Sequence, residues 1–315
     1  MEHRRWPTLI RPSARAFFRE ARRMPGFSFL DRLHGYVYIR WPYLYISIGS
    51  GEHPLARILG PPVRLVGRLF PAPPRHDRET GTFADGYHGK VVPLEAAAQL
   101  VTVREDVTLT ELEQTIPFTL ARDIVLRNPD HIVALECPCR ATRDNPCQPL
   151  DVCLVIGEPF ASFVSEHHPR RSRWISQEEA VQILGEEHER GHVHHAFFKD
   201  AMLGRFYAIC NCCSCCCGAM QAHERGTPML ISSGYVAQVD ANLCAACGQC
   251  VEACQFKALA VTNGTSAVES AACMGCGVCV SKCPEGALSL QRAPDRGQPL
   301  EIQQLIADAA QLAEG

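Results

Sequence analysis

Cys244, Cys247, Cys250 and Cys254 are spaced CxxCxxCxxxC, and Cys273, Cys276, Cys279 and Cys283 repeat that spacing 29 residues later. A cubane iron–sulfur cluster needs thiolates converging from several directions. A tight loop with a ligand every third residue wraps three of its corners, and glycine between ligands lets backbone amides approach the sulfides. In this arrangement the fourth ligand of each cluster comes from the other half. The expected sets are therefore Cys244, Cys247, Cys250 and Cys283 for one [4Fe–4S] cluster, and Cys273, Cys276, Cys279 and Cys254 for the other. Two zinc sites with four thiolates each would also use CxxC pairs, but eight ligands in this register favour clusters.

The offset of 29 extends beyond the ligands. Val239 matches Val268, Gly248 matches Gly277, and ALAV (258–261) matches ALSL (287–290), as expected of a duplicated unit. The segment resembles the bacterial two-cluster ferredoxins over residues 239–290. That resemblance implies a small module that passes electrons singly. One departure is Gln255, where the family usually has proline after the crossing cysteine, as at Pro284.

Ten further cysteines lie upstream. Cys137, Cys139, Cys147 and Cys153 form CxCx7Cx5C, and Cys210, Cys212, Cys213, Cys215, Cys216 and Cys217 crowd into CNCCSCCC. In an extended chain, neighbours such as Cys212 and Cys213, or Cys215 and Cys216, point to opposite sides. The run is thus expected to divide its thiols between at least two directions. One partition puts Cys137, Cys139, Cys147 and Cys153 around one extra cluster and four of the later six around another; a second mixes ligands from the two segments. Zinc, a thiol–disulfide pair and an inert tract are the alternatives. CPCR, DVCLVIG, ISQEEAVQIL, GHVH and CNCCSCCC ahead of the repeat together resemble a group of cysteine-rich bacterial 4Fe–4S ferredoxin-type proteins, over residues 86–290. This second resemblance implies iron–sulfur clusters and no particular substrate.

Arg140, just after the CxC, could hydrogen-bond a cluster or a bound anion, or form a surface salt bridge. His188, His192, His194 and His195 could be metal ligands or a proton relay; ordinary surface or satisfied histidines are the competing reading. No GxGxxG after a strand, GxxxxGK[ST], GxSxG or HExxH occurs, so nicotinamide, nucleoside triphosphate and hydrolase chemistry lack support.

The elements that must hold these residues read as an α+β chain: a mixed α/β middle domain with a small sheet, then a ferredoxin-like two-cluster module. HIVALE (131–136), VCLVIG (152–157) and FYAIC (206–210) read as strands, with cysteines at or just past their ends. FTLARDIVLRN (118–128), after Pro117, reads as a helix. Ser176 and Glu179 form a capping box for a helix that Gly191 should end. The expected divisions are a basic, aromatic N-terminal region (1–85), the cysteine-rich domain (86–238), the ferredoxin module (239–290) and a helical tail (291–315).

Residues 1–80 hold 14 arginines, no lysine and a net charge of +8, against −11 for the rest. RPSARAFFREARR (11–23) places Ala14, Phe17, Phe18 and Ala21 on one face of a basic helix. GYVYIRWPYLYISIGSG (35–51) and ARILGPPVRLVGRLFPAPPR (56–75) follow. Together they raise peripheral attachment to an anionic membrane or membrane complex, against the plainer reading that the aromatics pack on this chain's own core. Arg4 and Arg5 begin no export signal, because Arg11 and Arg15 interrupt the apolar stretch it would need. Clustered thiols suit a reducing, cytoplasmic interior, with peripheral contact at the inner membrane face as an option. Lysine is absent from the basic segment and no nucleic-acid motif accompanies it, so no nucleic-acid partner is expected.

The expected function is single-electron relay through two [4Fe–4S] clusters, and one or two further clusters, to a partner redox protein. The alternative is a ferredoxin-linked oxidoreductase whose middle domain reduces a substrate. A third reading is metal storage or sensing through the thiol run.

Overall fold

A seven-stranded sheet organises the middle of the chain and brings the upstream cysteines together. The computed structural model describes residues 11–24, 26–56, 83–110, 112–118 and 121–314. The strands are β1 (Tyr87–Val92), β4 (Ile132–Leu135), β5 (Cys153–Ile156), β6 (Ser172–Ile175), β7 (Val193–Lys199), β8 (Arg205–Cys212) and β9 (Leu230–Ile231), in the order β6-β4-β5-β8-β7-β1-β9. All pairings are antiparallel except β1 with β9. β4, β5, β7 and nearly all of β8 are buried, so they read as apolar runs rather than as alternation.

FTLARDIVLRN is not a helix in its described part. Ile124–Leu126 is β3, paired antiparallel with β2 (Val107–Leu109), and Ala121 has a positive φ. Ile124 and Leu126 are buried, and strand pairing outweighs the weak helical pattern. Residues 119–120 lie outside the described residues. The Ser176 hydroxyl does accept from the Glu179 amide at the start of a helix over Gln177–Glu189, and Gly191 follows it with φ 84°. The Glu179 carboxylate turns instead to Arg173.

Three N-terminal helices lie against this sheet: α1 (Pro12–Arg23), α2 (Phe29–Arg40) and α3 (Pro42–Gly49). Ala14, Phe17 and Ala21 are buried in the main core, with Phe17 edge-on to Phe163. Arg205 of β8 pairs with Glu20 at 2.7 Å, and Ser13 donates to Glu166 at 2.5 Å. The sequence 57–75 and the Arg4–Arg5 pair fall outside the described residues. Among the described residues no helix is long and apolar enough to cross a membrane.

The C-terminal module shows the duplication in three dimensions. Strand β10 (Tyr235–Val239) pairs with β13 (Leu288–Arg292), and β11 (Leu259–Thr262) pairs with β12 (Thr265–Val268). Each half thus lends a strand to the other. Short helices at Gln249–Ala253 and Val278–Ser281 start from Gly248 (φ 78°) and Gly277 (φ 83°), left-handed positions that favour glycine. A last helix, Ile302–Glu314, follows. Leu300 and Ile302 are buried in the main core, so the chain returns to the sheet after the module.

Candidate metal centres

The module encloses two cavities lined by the crosswise sets. Cys254, Cys273, Cys276 and Cys279 line one; Cys244, Cys247, Cys250 and Cys283 line the other. Amide donors recur at the same repeat positions. Ala237 N–H and Ser266 N–H reach Cys273 and Cys244 Sγ (3.5 and 3.4 Å), while Ala258 N–H and Ala287 N–H reach Cys254 and Cys283 Sγ (3.3 and 3.2 Å). Such donors favour the thiolate form, as a metal–sulfur core requires. Amide bonds from Ser266 and Ala246 lower the Cys244 thiol to about 7. Burial instead pushes Cys276 up to about 12. The set with Cys244 has a hydroxyl as well, Ser266 Oγ at 3.2 Å from Cys250 Sγ.

The ten upstream cysteines divide four and six. Cys147, Cys213, Cys215 and Cys216 place their sulfurs within 4.8 Å of one another. Cys147 lies 3.2 Å from Cys215, and Cys215 lies 3.7 Å from Cys216. Among the described residues this is the one group of three or more such side chains gathered so closely. A single ion with metal–sulfur bonds of 2.3 Å sets tetrahedral sulfurs about 3.8 Å apart. A cubane puts an iron between each thiolate and the core, so its ligands stand farther apart than that.

Cys137, Cys139, Cys153, Cys210, Cys212 and Cys217 form the second set. Cys153 and Cys210 are directly opposed in the β5–β8 pairing, with sulfurs 3.4 Å apart. Cys137 neighbours Cys139 and Cys153, and Cys217 neighbours Cys139 and Cys212, so the six thiols follow one another in a row. These six, joined by Cys213 and Cys216 from the edge of the four-thiol set, line a cavity of about 80 Å³.

The thiols that lie close together come from both segments: Cys147 stands with Cys213, Cys215 and Cys216 rather than with Cys137, Cys139 and Cys153. The cause is the sheet: β4, β5 and β8 fix Cys137, Cys153 and Cys210 at neighbouring positions, while the loop between Ala141 and Cys153 carries Cys147 out to the far end of CNCCSCCC. Cys212 and Cys213 do separate. Cys215 and Cys216 do not, because residues 214–216 form a turn closed by Cys217 N–H to Cys213 C=O (3.0 Å) rather than extended chain.

Arg140 is buried, not a surface salt bridge. Its guanidinium donates to Pro149 C=O, Glu187 Oε2 and Asn211 C=O at 2.6, 2.6 and 2.8 Å, and stands 3.1 Å from His192 Nδ1. Burial alone would lower its pKa, yet Glu187 raises it; Glu187 in turn is held below its usual value despite burial by His192 and Arg140. This fixed cation lines the six-thiol cavity. His192 is thus taken up by Glu187, while His194 bonds Asn211 at 2.6 Å and stacks on His188. His195 is fully buried, with no hydrogen-bond partner among the described residues. The four histidines form no metal-ligand group among the described residues.

Several residues at these sites carry no sequence motif. Tyr38, Tyr87 and Tyr207 line the six-thiol cavity, with the Tyr38 and Tyr207 hydroxyls 2.7 Å apart. The Lys199 ammonium sits over the Tyr38 and Tyr87 rings, at 4.7 and 4.4 Å. Arg143 donates to Cys216 C=O and Gln221, steadying the four-thiol turn. The dense tyrosines of residues 36–45 were the available signal, but nothing in them specified a thiol neighbour.

The family model for a 4Fe-4S dicluster domain matches residues 243–288. No curated protein matches the chain. The C-terminal part is therefore a ferredoxin-type module, and the chain is an iron–sulfur protein.

Proposed function

We propose that the protein relays single electrons from its ferredoxin clusters to further iron–sulfur centres in the middle region, and onward to a partner redox protein. In the module, Cys244, Cys247, Cys250 and Cys283 hold the outer cluster, and Cys273, Cys276, Cys279 and Cys254 the inner one. The observation carrying the reading is the gathering of ten more cysteines into two sets beside that module. Thiols so crowded repel one another once ionised, and a metal core relieves that by binding them as thiolates. In the ligand-free fold burial pushes Cys147 up to about 11 and Cys212 up to about 12. Loading either set therefore releases protons.

Iron and acid-labile sulfide counts on anaerobically purified protein test this. At four irons per cluster, about 8 per chain would mean the ferredoxin pair alone, about 9 a single iron added in the four-thiol set, and about 12 to 16 further four-iron clusters. Zinc in place of the extra iron would overturn the relay beyond the module.

A second reading has its own observation. The six-thiol set exceeds the four ligands of one cubane, and its cavity also holds a tyrosine hydroxyl pair and apolar walls from the N-terminal helices. That is the layout of a reduction site, with electrons from the clusters and protons from the hydroxyls. A cluster signal that responds to added cyanide or carbon monoxide would favour it, and full cysteine ligation with no response would dismiss it.

Partner contact through the N-terminal region also belongs here. Phe29, Leu30, Leu33, Trp41 and Leu44 are exposed, close in sequence to Arg32 and Arg40. An anionic membrane surface suits that mixture. Sedimentation with anionic vesicles at low and high salt checks it, and no binding at low salt would exclude it.

A further inference from the structure

The two halves of the ferredoxin module differ at one position that matters for its surroundings. After the crossing cysteine one half has Pro284 and the other Gln255. Gln255 Oε1 accepts from both the amide and the hydroxyl of Ser214, each at 2.9 Å, and its Nε2 donates to Gly191 C=O at 3.1 Å. Ser214 stands between Cys213 and Cys215, two members of the four-thiol set. Gln255 follows Cys254, which lines the cavity with Cys273, Cys276 and Cys279. One side chain therefore joins the ligand loop of one ferredoxin cavity to the ligand turn of the four-thiol set.

The packing gives this contact a direction. The half of the module around Cys273 is turned inward: Met274 and Val278 are buried in the main core, Ser233 N–H bonds Met274 C=O at 3.1 Å, and Arg296 bonds Cys273 C=O at 2.9 Å. Lys282 also reaches the Glu189 carbonyl. The other cavity faces outward, with Cys247 exposed and Leu243, next to Cys244 in sequence, 52% exposed.

We infer that Gln255 is the junction that positions the inner ferredoxin cluster against the four-thiol centre, so that electrons arrive at the outer cluster and leave the module through Cys254, Gln255 and Ser214. This rests on the four-thiol set holding a redox-active iron centre, as proposed above. In the step itself the inner cluster is oxidised by one electron and the four-thiol centre is reduced by one; no bond forms or breaks and no proton moves. An amide suits the junction because it is neutral and offers both an acceptor and a donor, so it engages Ser214 and Gly191 together. Proline offers neither, and the module tolerates it at the equivalent position 284.

The test compares full-length wild type with Gln255→Pro and Ser214→Ala, each assayed for iron, EPR signals and midpoint potentials. Flash reduction by a photoexcited deazaflavin, sampled by rapid-freeze EPR, then follows electrons from the module into the middle region. Gln255→Pro is expected to keep its iron and its two ferredoxin signals while internal transfer slows roughly tenfold, equivalent to about 1.4 kcal/mol on the barrier. Ser214→Ala, which keeps the amide donor, should slow it less. A purely structural role would lower thermal stability and leave the rate unchanged. An unchanged rate in both variants, with iron retained, overturns the junction and leaves the extra centres standing. Wild type without iron in the four-thiol set overturns the junction together with the four-thiol step of the relay.

Discussion

Ser266 gives the outer ferredoxin set a hydroxyl donor to Cys250 that Ala237, its repeat counterpart, cannot supply to Cys279. Hydrogen bonds to cluster sulfur stabilise the reduced, more negative state and raise the potential. With a hydrogen bond contributing about 1 kcal/mol, Ser266→Ala should lower the outer cluster's midpoint by roughly 40 mV and leave the inner one alone. An EPR-monitored redox titration checks this, and equal shifts in both clusters would contradict the assignment. Arg140 makes a different demand. Its removal strips buried Glu187 of its one fully buried cation and leaves it His192 and the more exposed Arg190, so Arg140→Ala should destabilise the fold by about 3 kcal/mol in anaerobic chemical denaturation. A loss within error would mean that the ion pair is dispensable. The eight module cysteines could be read from spacing because their ligand geometry is local. Arg140 could be noticed but not placed, since its partners lie 9, 47, 52 and 71 residues away.

At the scale of elements, β4, β5 and β8 decide which upstream cysteines meet. Each was recognisable as a short apolar run, yet their adjacency was not, and the division of the ten thiols follows from adjacency. The turn at residues 214–216 matters as much, because the opposite-sides rule for Cys215 and Cys216 holds only in extended chain. The segment 118–128 was misread for a related reason: its strand exists through pairing with β2, which periodicity does not reveal. β1 carries a testable consequence. Burial against Phe118 and Phe198 lowers His88 to about 4, so the folded state keeps it neutral while the unfolded chain protonates near 6.5. Stability is then full above about pH 6.5 and falls as pH drops toward 4, by on the order of 3 kcal/mol. His194 and His195, lowered to about 4 and about 3 by burial, act in the same direction. His88→Phe should flatten part of this acid limb in pH-dependent unfolding curves, and an unchanged limb would show that His88 contributes nothing to it.

Across the whole molecule the thiol sets form a sequence: an outward ferredoxin set, an inward one, the four-thiol turn joined to it by Gln255, and the six-thiol cavity roofed by α2 and α3 through Tyr38, Ile39, Pro42 and Ile46. The aromatic run of residues 35–51 thus supplies part of that cavity's wall, which composition alone could not show. A chain of redox centres leading into a walled cavity fits delivery of electrons to one place. The most direct test is the iron content, with Mössbauer spectra, of ⁵⁷Fe-labelled wild type beside Cys147→Ser and Cys153→Ser. Wild type should exceed the roughly 8 irons of the ferredoxin pair, and each variant should lose a different component while both ferredoxin components persist. Wild type at roughly 8 irons, or variants that lose nothing, would contradict the claim that the upstream cysteines hold iron–sulfur centres.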